Sequence, residues 1–193
     1  MQPRTILCDC DGVLADFVGA LCAELTARGL PKTPADIRHW ELALSLNADE
    51  RSQVDSITVA PGFCAELAWY PGAYSFLHQL CAMGMVHVVT SPMVGSPTWM
   101  WERKCWFASS ALSSDRVHFV SGAHKRLVRG DILIEDNSTI AHAWLEANLD
   151  GFAILIDRPW NSPAAKESQP HPRMFRASSY ENALELIKAT DYV

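Results

Sequence analysis

The stretch Thr5-Ile6-Leu7-Cys8-Asp9-Cys10-Asp11-Gly12-Val13 decides the fold of this 193-residue chain. Its first four residues form an apolar run, which is typical of a buried strand, and Asp9 follows the run directly. Asp11 and Gly12 come next, so the strand ends in two carboxylates and a residue that favours a sharp turn. Ligands of open parallel sheets bind beyond the carboxyl ends of the strands, and we therefore expect a functional site here.

Downstream of this stretch, strand-like and helix-like segments alternate. Apolar runs predict further strands at residues 85–89, 117–120, 132–134 and 152–156. Apolar residues at helical spacing predict helices at residues 14–25, 73–83, 96–106 and 140–149, and a last helix capped by Ser178 and Glu181 that runs to Lys188. Residues 157–172 are rich in proline and predict a loop. The alternation predicts an α/β fold, a doubly wound parallel sheet with helices on both faces.

The segment from Leu30 to Tyr70 breaks this alternation. It contains no clear strand pattern, several prolines and a capping box formed by Asn47 and Glu50, which together predict a small helical insertion. We therefore expect a helical cap at residues 16–70, inserted after the first strand, and a catalytic core made of residues 1–15 and 71–193.

Composition narrows the classes of function. The net charge of -6 and the pI near 5.6 give no general attraction to polyanions, so we expect no binding of nucleic-acid polymers or of membrane surfaces. The six cysteines show no zinc-binding spacing. No signal peptide or membrane-spanning run is recognised, and a reducing, cytoplasmic location is expected.

Polar residues follow four of the predicted strands, so the parallel sheet should gather them at one edge. They are Asp9, Asp11 and Gly12 after the first strand, Thr90 and Ser91 after the second, Lys125 beyond the third, and Glu135 with Asp136 after the fourth. Carboxylates from two strands can hold a hard cation such as Mg²⁺ through oxygen ligands. This combination of carboxylates, hydroxyls and one ammonium group is typical of phosphate chemistry.

Each of these residues has a predicted role in cleaving a phosphate ester. Asp9 can attack phosphorus as a carboxylate nucleophile and form an aspartyl-phosphate. Asp11 can protonate the leaving oxygen and later activate water.

The remaining polar residues are predicted to bind the phosphoryl group. Thr90 or Ser91 can donate a hydrogen bond to its oxygens, and Lys125 supplies a positive charge. Gly12 lets the backbone turn sharply and bring its amide near the phosphate.

These motifs resemble those of a known superfamily. Residues 9–13 (DCDGV) resemble the D-x-D-G-[TV] first motif of the haloacid dehalogenase (HAD) phosphatases, and residues 89–91 (VTS) resemble the second. Lys125 corresponds to the third motif, and residues 134–136 (IED) to the acidic fourth. The resemblance covers the whole core in the right order and implies a HAD-like Rossmannoid fold with Mg²⁺ as cofactor.

A narrower resemblance is to the 5'(3')-deoxyribonucleotidases. Residues 11–17, 61–63, 70–73 and 90–92 are similar to the corresponding segments of that family. The resemblance implies that Mg²⁺ is held by Asp9, Asp11 and Asp136, one of the two first-motif residues using its backbone carbonyl.

The fourth motif departs from the usual pattern of that family. Glu135 stands where aspartate is common, which implies that it supports the site without binding the metal directly. Asn137 stands where some members have an arginine that contacts the phosphate.

Structural alternatives exist for several of these residues. Asp9 and Asp11 could cap the following helix, and Lys125 could be a solvated lysine. Phe17 and Trp40 are candidate contacts for a nucleotide base, but Phe17 also lies on an apolar helix stripe and Trp40 could be a core residue of the cap. Three further tryptophans are expected mainly to pack: Trp99, Trp101 and Trp106.

The sequence thus predicts a Mg²⁺-dependent phosphomonoesterase whose substrate is a nucleoside monophosphate, perhaps a deoxyribonucleotide. One alternative is a phosphatase of the same mechanism for another small ester such as a sugar phosphate. Dehalogenases do not need Asp11, which argues against that activity. A binding module of the same fold without turnover is the alternative from another class, and the intact acidic set with Lys125 argues against it.

Overall fold

The structure, a computed structural model, describes residues 3–108, 110, 112–162 and 171–190. Within these ranges, a parallel sheet of six strands in the order β3-β2-β1-β4-β5-β6 forms the centre of the fold. The strands are β1 (Thr5–Cys8), β2 (Met85–Thr90), β3 (Val117–Phe119), β4 (Ile132–Glu135), β5 (Phe152–Ile156) and β6 (Met174–Ala177). Every neighbouring pair is parallel, which confirms the predicted doubly wound α/β fold.

Six α-helices in the described ranges cover the sheet or form the inserted segment. They are α1 (Phe17–Ala27), α2 (Ala48–Thr58), α3 (Ala73–Met83), α4 (Trp99–Phe107), α5 (Ser138–Ala147) and α6 (Tyr180–Ala189). Apolar residues of α3, α4 and α6 pack on one face of the sheet, and those of α5 pack on the other. Because both faces are covered, the strands are apolar on both sides.

One strand was not predicted, and four helix starts differ from their predictions. Helix α1 begins at Phe17, three residues after the predicted start, and α5 begins at Ser138, two residues before it. β6 follows the proline-rich loop, of which residues 163–170 lie outside the described residues. Helix α6 is capped by Ser179, whose side chain accepts from the amide of Asn182, and not by the predicted Ser178. Helix α4 starts after Thr98, two residues later than the Ser96-Pro97 pair predicted. The predicted capping box of Asn47 and Glu50 at α2 is confirmed.

The segment between β1 and α3, which we call the inserted segment (residues 16–70), contains α1, α2 and short 3₁₀ turns. Many of its apolar residues form a cluster around Leu21, Leu25 and Ile57, which Trp160 joins, whereas Leu67 belongs to a cluster on the sheet. The chain enters and leaves this segment as an antiparallel pair. Asp16 donates its amide to the carbonyl of Ala68, and Tyr70 donates to that of Leu14, each at 2.9 Å.

Among the described helices, the longest has 11 residues, too few to cross a bilayer, and no candidate membrane span is found in this part of the chain.

Candidate active site

Three buried carboxylates meet at the carboxyl edge of the sheet. Asp9 directly follows β1, Glu135 ends β4 and Asp136 comes next, and the two strands are neighbours in the sheet. One oxygen from each carboxylate lies within 4.8 Å of the others, and all three residues are buried. Oxygen ligands at this spacing fit a hard divalent cation such as Mg²⁺.

Lys125 lies inside this acidic group. It belongs to the 3₁₀ helix Gly122–Leu127, its side chain is 2% exposed, and its Nζ is 2.8 Å from Oδ1 of Asp9 and 2.9 Å from Oε2 of Glu135. Burial opposes its charge, but the two carboxylates together raise the pKa of Lys125 well above its ordinary value. The lysine is therefore a buried cation, and its interpretation as a solvated side chain is wrong.

The three carboxylates outnumber this lysine, and the pKa values of two of them are raised. Burial, and then the charge of Glu135, raise the pKa of Asp9 to about 7 against the effect of Lys125. Burial and the charge of Asp9 raise the pKa of Asp136 to about 6. A divalent cation would supply the missing positive charge, so the residues present fit one.

Glu135 is engaged at both of its oxygens. Oε2 accepts from Lys125, and Oε1 accepts from the amides of Asp136 and Asn137, each at 3.2 Å. These bonds fix the turn after β4. The geometry therefore favours the supporting role expected for Glu135 over direct binding of a metal.

Asp11 is held by an arginine that the sequence analysis did not identify. Nη2 of Arg103 lies 2.6 Å from Oδ1 of Asp11; the arginine side chain is fully buried and the aspartate side chain is 27% exposed. Burial raises the pKa of Asp11 despite this ion pair. Asp16, and not Asp9 or Asp11, caps helix α1, so the structural alternative for those two residues is wrong.

Gly12 adopts a left-handed conformation with φ of +79° directly against Asp136. A Cβ atom built on Gly12 would lie 2.0 Å from Oδ2 of Asp136, so only glycine lets the two residues approach. Its amide already donates to the carbonyl of Ala15 at 3.1 Å. In this geometry the N–H of Gly12 is engaged within the turn, and its contact with a phosphate stays a prediction.

Thr90 and Ser91 end β2 beside the acidic group. The hydroxyl oxygen of Thr90 is buried and has no hydrogen-bond partner among the described residues, although it lines the cavity described below. An unpaired buried hydroxyl is costly, so this group is poised to donate to a ligand. The hydroxyl of Ser91 donates to the carbonyl of Val120 at 3.3 Å.

A cavity of about 290 Å³ opens over these groups. All the predicted site residues line it: Asp9, Asp11, Gly12, Phe17, Trp40, Thr90, Ser91, Lys125 and Asp136. Apolar side chains, mostly from the inserted segment and the loop after β2, also line it: Val18, Ile37, Leu42, Pro92 and Met93 among others. The cavity thus joins an acidic floor to an apolar wall.

The two candidate base contacts differ in their packing. Phe17 is partly buried, packs edge-on against Phe63 at 5.4 Å between ring centroids, and also faces the cavity. Trp40 lines the cavity with 51% of its surface exposed and is absent from the apolar cluster of the inserted segment. The alternative that Trp40 is a core residue of the cap is therefore wrong.

The tryptophans of α4 were predicted to pack, and one does not. Trp99 and Trp106 are buried, and both rings lie against the guanidinium of Arg103, at 5.2 and 5.5 Å from their centroids. Trp101 is 71% exposed, because it projects from the opposite side of the helix. The i, i+4, i+7 spacing of Trp99, Arg103 and Trp106 is the sequence signal that could have identified a buried arginine here.

Trp160 is a second residue that the sequence analysis missed. It lies in the 3₁₀ helix Pro159–Asn161 after β5, and its indole N–H donates to Oδ2 of Asp136 at 2.8 Å. The surrounding sequence reads as a proline-rich loop, so no local signal marks it.

Comparisons with known proteins agree with this geometry. The family model described as "5' nucleotidase, deoxy (Pyrimidine), cytosolic type C protein" matches residues 3–191. A Bordetella bronchiseptica protein provisionally named as a 5'(3')-deoxyribonucleotidase is 29% identical over 173 residues, 88% of this chain and 89% of its own. The human 5'(3')-deoxyribonucleotidase, cytosolic type, is 29% identical over 143 residues, 70% of this chain and 71% of its own.

A solved structure shows the same fold. A haloacid dehalogenase-like hydrolase from Burkholderia xenovorans, also provisionally named, superposes with a TM-score of 0.61 at 17% identity and covers 98% of both chains.

Proposed function

This chain belongs to the 5' nucleotidase, deoxy (pyrimidine), cytosolic type C family and is a phosphoric monoester hydrolase of the HAD superfamily, and from that premise we propose that it hydrolyses (deoxy)ribonucleoside monophosphates to nucleoside and phosphate with Mg²⁺. The single observation that carries the nucleotide substrate is the cavity. An aromatic and apolar wall lines it together with the carboxylates proposed to be catalytic. A base can bury its face on such a wall, whereas the hydroxyls of a sugar phosphate would find few polar partners there.

In the proposed mechanism, Asp9 is the nucleophile. Its Oδ1 accepts from Nζ of Lys125 at 2.8 Å and from the amide of Cys10 at 2.7 Å, which leaves Oδ2 to attack phosphorus. The P–O bond to the nucleoside breaks as the bond to Asp9 forms, and an aspartyl-phosphate results. Lys125 and the hydroxyl of Thr90 are placed to stabilise the phosphoryl oxygens.

Asp11 is proposed to move the protons. It gives a proton to the leaving nucleoside oxygen and then takes one from the water that cleaves the aspartyl-phosphate. Arg103 binds its Oδ1 and leaves Oδ2 for this exchange. Burial raises the pKa of Asp11, which favours the protonated form that the first step needs.

Mg²⁺ would be held by Asp9, Asp136 and the backbone carbonyl of Asp11, and when bound it supplies the positive charge that offsets repulsion between the carboxylates and the phosphate. Cytoplasmic location and the division into core and cap stay predictions. The apolar cluster around Leu21, Leu25 and Ile57 supports the division.

A turnover screen tests the proposal. Phosphate release would be measured for deoxyribonucleoside monophosphates, ribonucleoside monophosphates and a panel of sugar phosphates, in Mg²⁺ and in chelator. We expect nucleotides to be preferred, activity to need Mg²⁺, and folded Asp9→Asn protein to be inactive. A preference for sugar phosphates would contradict the nucleotidase assignment, and equal rates in chelator would contradict the metal requirement.

A further inference from the structure

Asp136 is held in place by two consecutive residues outside the four motifs. The indole N–H of Trp160 donates to its Oδ2 at 2.8 Å. The side-chain amide of Asn161 donates to the main-chain carbonyl of Asp136 and to that of Ile156, each at 2.7 Å. The segment after β5 therefore fixes both the backbone and the carboxylate of Asp136.

The indole bond leaves one oxygen of Asp136 in a defined place. Oδ2 of Asp136 accepts from the indole of Trp160 and packs against Gly12, on which a Cβ would lie only 2.0 Å from that oxygen. Outer hydrogen bonds of this kind orient metal-binding carboxylates, and their loss typically weakens metal binding by roughly 10–100-fold.

The same tryptophan belongs to the apolar cluster of the inserted segment. Trp160 is 3% exposed, and its ring packs with Val18, Leu21 and Ile37. Every other described member of this cluster lies between residues 17 and 63. One edge of the ring thus contacts the inserted segment, while its N–H contacts the acidic floor of the cavity.

We propose that Trp160 is a positioning residue that sets the carboxylate of Asp136 for the divalent cation and links the affinity for that cation to the packing of the inserted segment. The inference rests on the proposed function, specifically on Asp136 being a metal ligand. A residue that only filled space could lose its N–H without any change in metal binding.

Calorimetric titration of Mg²⁺ into nucleotide-free, chelator-treated protein tests this without turnover. Trp160→Phe keeps most of the ring and removes the donor, and the dissociation constant for Mg²⁺ should rise about ten-fold or more. The matched control is Trp144→Phe, because Trp144 is fully buried and donates to the carbonyl of Val128 at 2.9 Å on the other face of the sheet. The control should bind Mg²⁺ like the wild type.

Asp136→Asn separates the two ways in which the inference can fail. If Asp136→Asn loses Mg²⁺ binding and Trp160→Phe does not weaken it, the positioning role is overturned and the metal site stands. If Asp136→Asn binds Mg²⁺ as well as the wild type, both are overturned.

A second measurement needs no substitution at Trp160, in case the phenylalanine variant does not fold. In wild-type protein with ¹⁵N-labelled tryptophan and assigned resonances, Mg²⁺ should shift the indole N–H signal of Trp160 and leave that of Trp144 in place. An unchanged Trp160 signal at saturating Mg²⁺ would overturn the proposal.

Discussion

Replacing Arg103 and Asp11 separately and together measures how much their buried ion pair, next to the proposed nucleophile Asp9, contributes to stability and to turnover. The two side chains meet at 2.6 Å, the arginine with no exposed surface and the aspartate with 27%. The perturbations are Arg103→Met, which keeps an unbranched side chain without the charge, and Asp11→Asn, which keeps the shape of the carboxylate.

The magnitudes follow from which charge each variant leaves behind. Asp11→Asn strands a fully buried guanidinium, and removal of one partner of a buried pair costs about 3–5 kcal/mol. Arg103→Met strands a carboxylate that water can reach in part, so the cost should be smaller, about 1–3 kcal/mol. The double variant strands neither charge. Its loss should therefore fall short of the sum of the two by about 2 kcal/mol, within the range seen for residues in direct contact.

The assay is urea unfolding of the four proteins in chelator, analysed by linear extrapolation. Lys104→Met is the matched control, since it removes an exposed cation from the same helix and should cost less than about 0.5 kcal/mol. Asp11→Asn should also lose roughly a hundred-fold or more in turnover. Additive losses within about 0.5 kcal/mol would refute the reasoning, because they would mean that the two side chains do not stabilise each other.

Three further predictions concern the metal, the substrate and the first-motif turn. The pKa values of Asp9 and Asp136 are raised to about 7 and about 6, and protonated carboxyls do not bind cations. The affinity for Mg²⁺ measured by calorimetry should therefore fall from pH 8 to pH 5, by about ten-fold per pH unit for each proton displaced. A constant affinity would contradict this. Trp40→Ala should lower kcat/KM for nucleoside monophosphates about ten-fold or more, since stacking is worth roughly 1–3 kcal/mol. It should barely affect kcat/KM for a small phosphate ester without an aromatic ring, and an unchanged ratio of the two constants would remove Trp40 as a base contact. Gly12→Ala should lower the free energy of unfolding more than Gly29→Ala. Both glycines have φ near +80°, but of the two only Gly12 would bring its Cβ against another residue, Asp136. Equal losses of unfolding free energy in urea would show that the carboxylate moves aside freely.

Much of the fold could be predicted because buried parallel strands are short apolar runs. Five of the six described strands have that pattern, and β5 was predicted at its observed bounds. The sixth, β6, reads Met-Phe-Arg-Ala at the edge of the sheet, where Arg176 faces partly outward and pairs with Asp157. A four-residue edge strand that includes a charge is not distinguishable from loop by its sequence.

The candidate site could be predicted to the extent that its residues follow strands. Asp9, Thr90 and Asp136 each stand at or just beyond a strand end, and the parallel sheet brings them to one cavity. Their catalytic and binding roles stay predictions. Arg103 and Trp160 contact Asp11 and Asp136 from a helix and from a loop, through packing that depends on the whole tertiary structure. The spacing of Trp99, Arg103 and Trp106 indicates a buried arginine but not its partner, and no spacing marks Trp160.

The antiparallel pair that joins the two ends of the inserted segment has an evolutionary consequence. Because Asp16 bonds to Ala68 and Tyr70 to Leu14, the two ends of the inserted segment lie side by side whatever sequence connects them. The entropy of closing a loop grows only logarithmically, by about 0.6 kcal/mol for each doubling of its length. This point of the chain can therefore exchange one insert for another of different size at little thermodynamic cost. The range of substrates would then diversify by replacement of the inserted segment, while the carboxylates at the sheet edge are inherited unchanged.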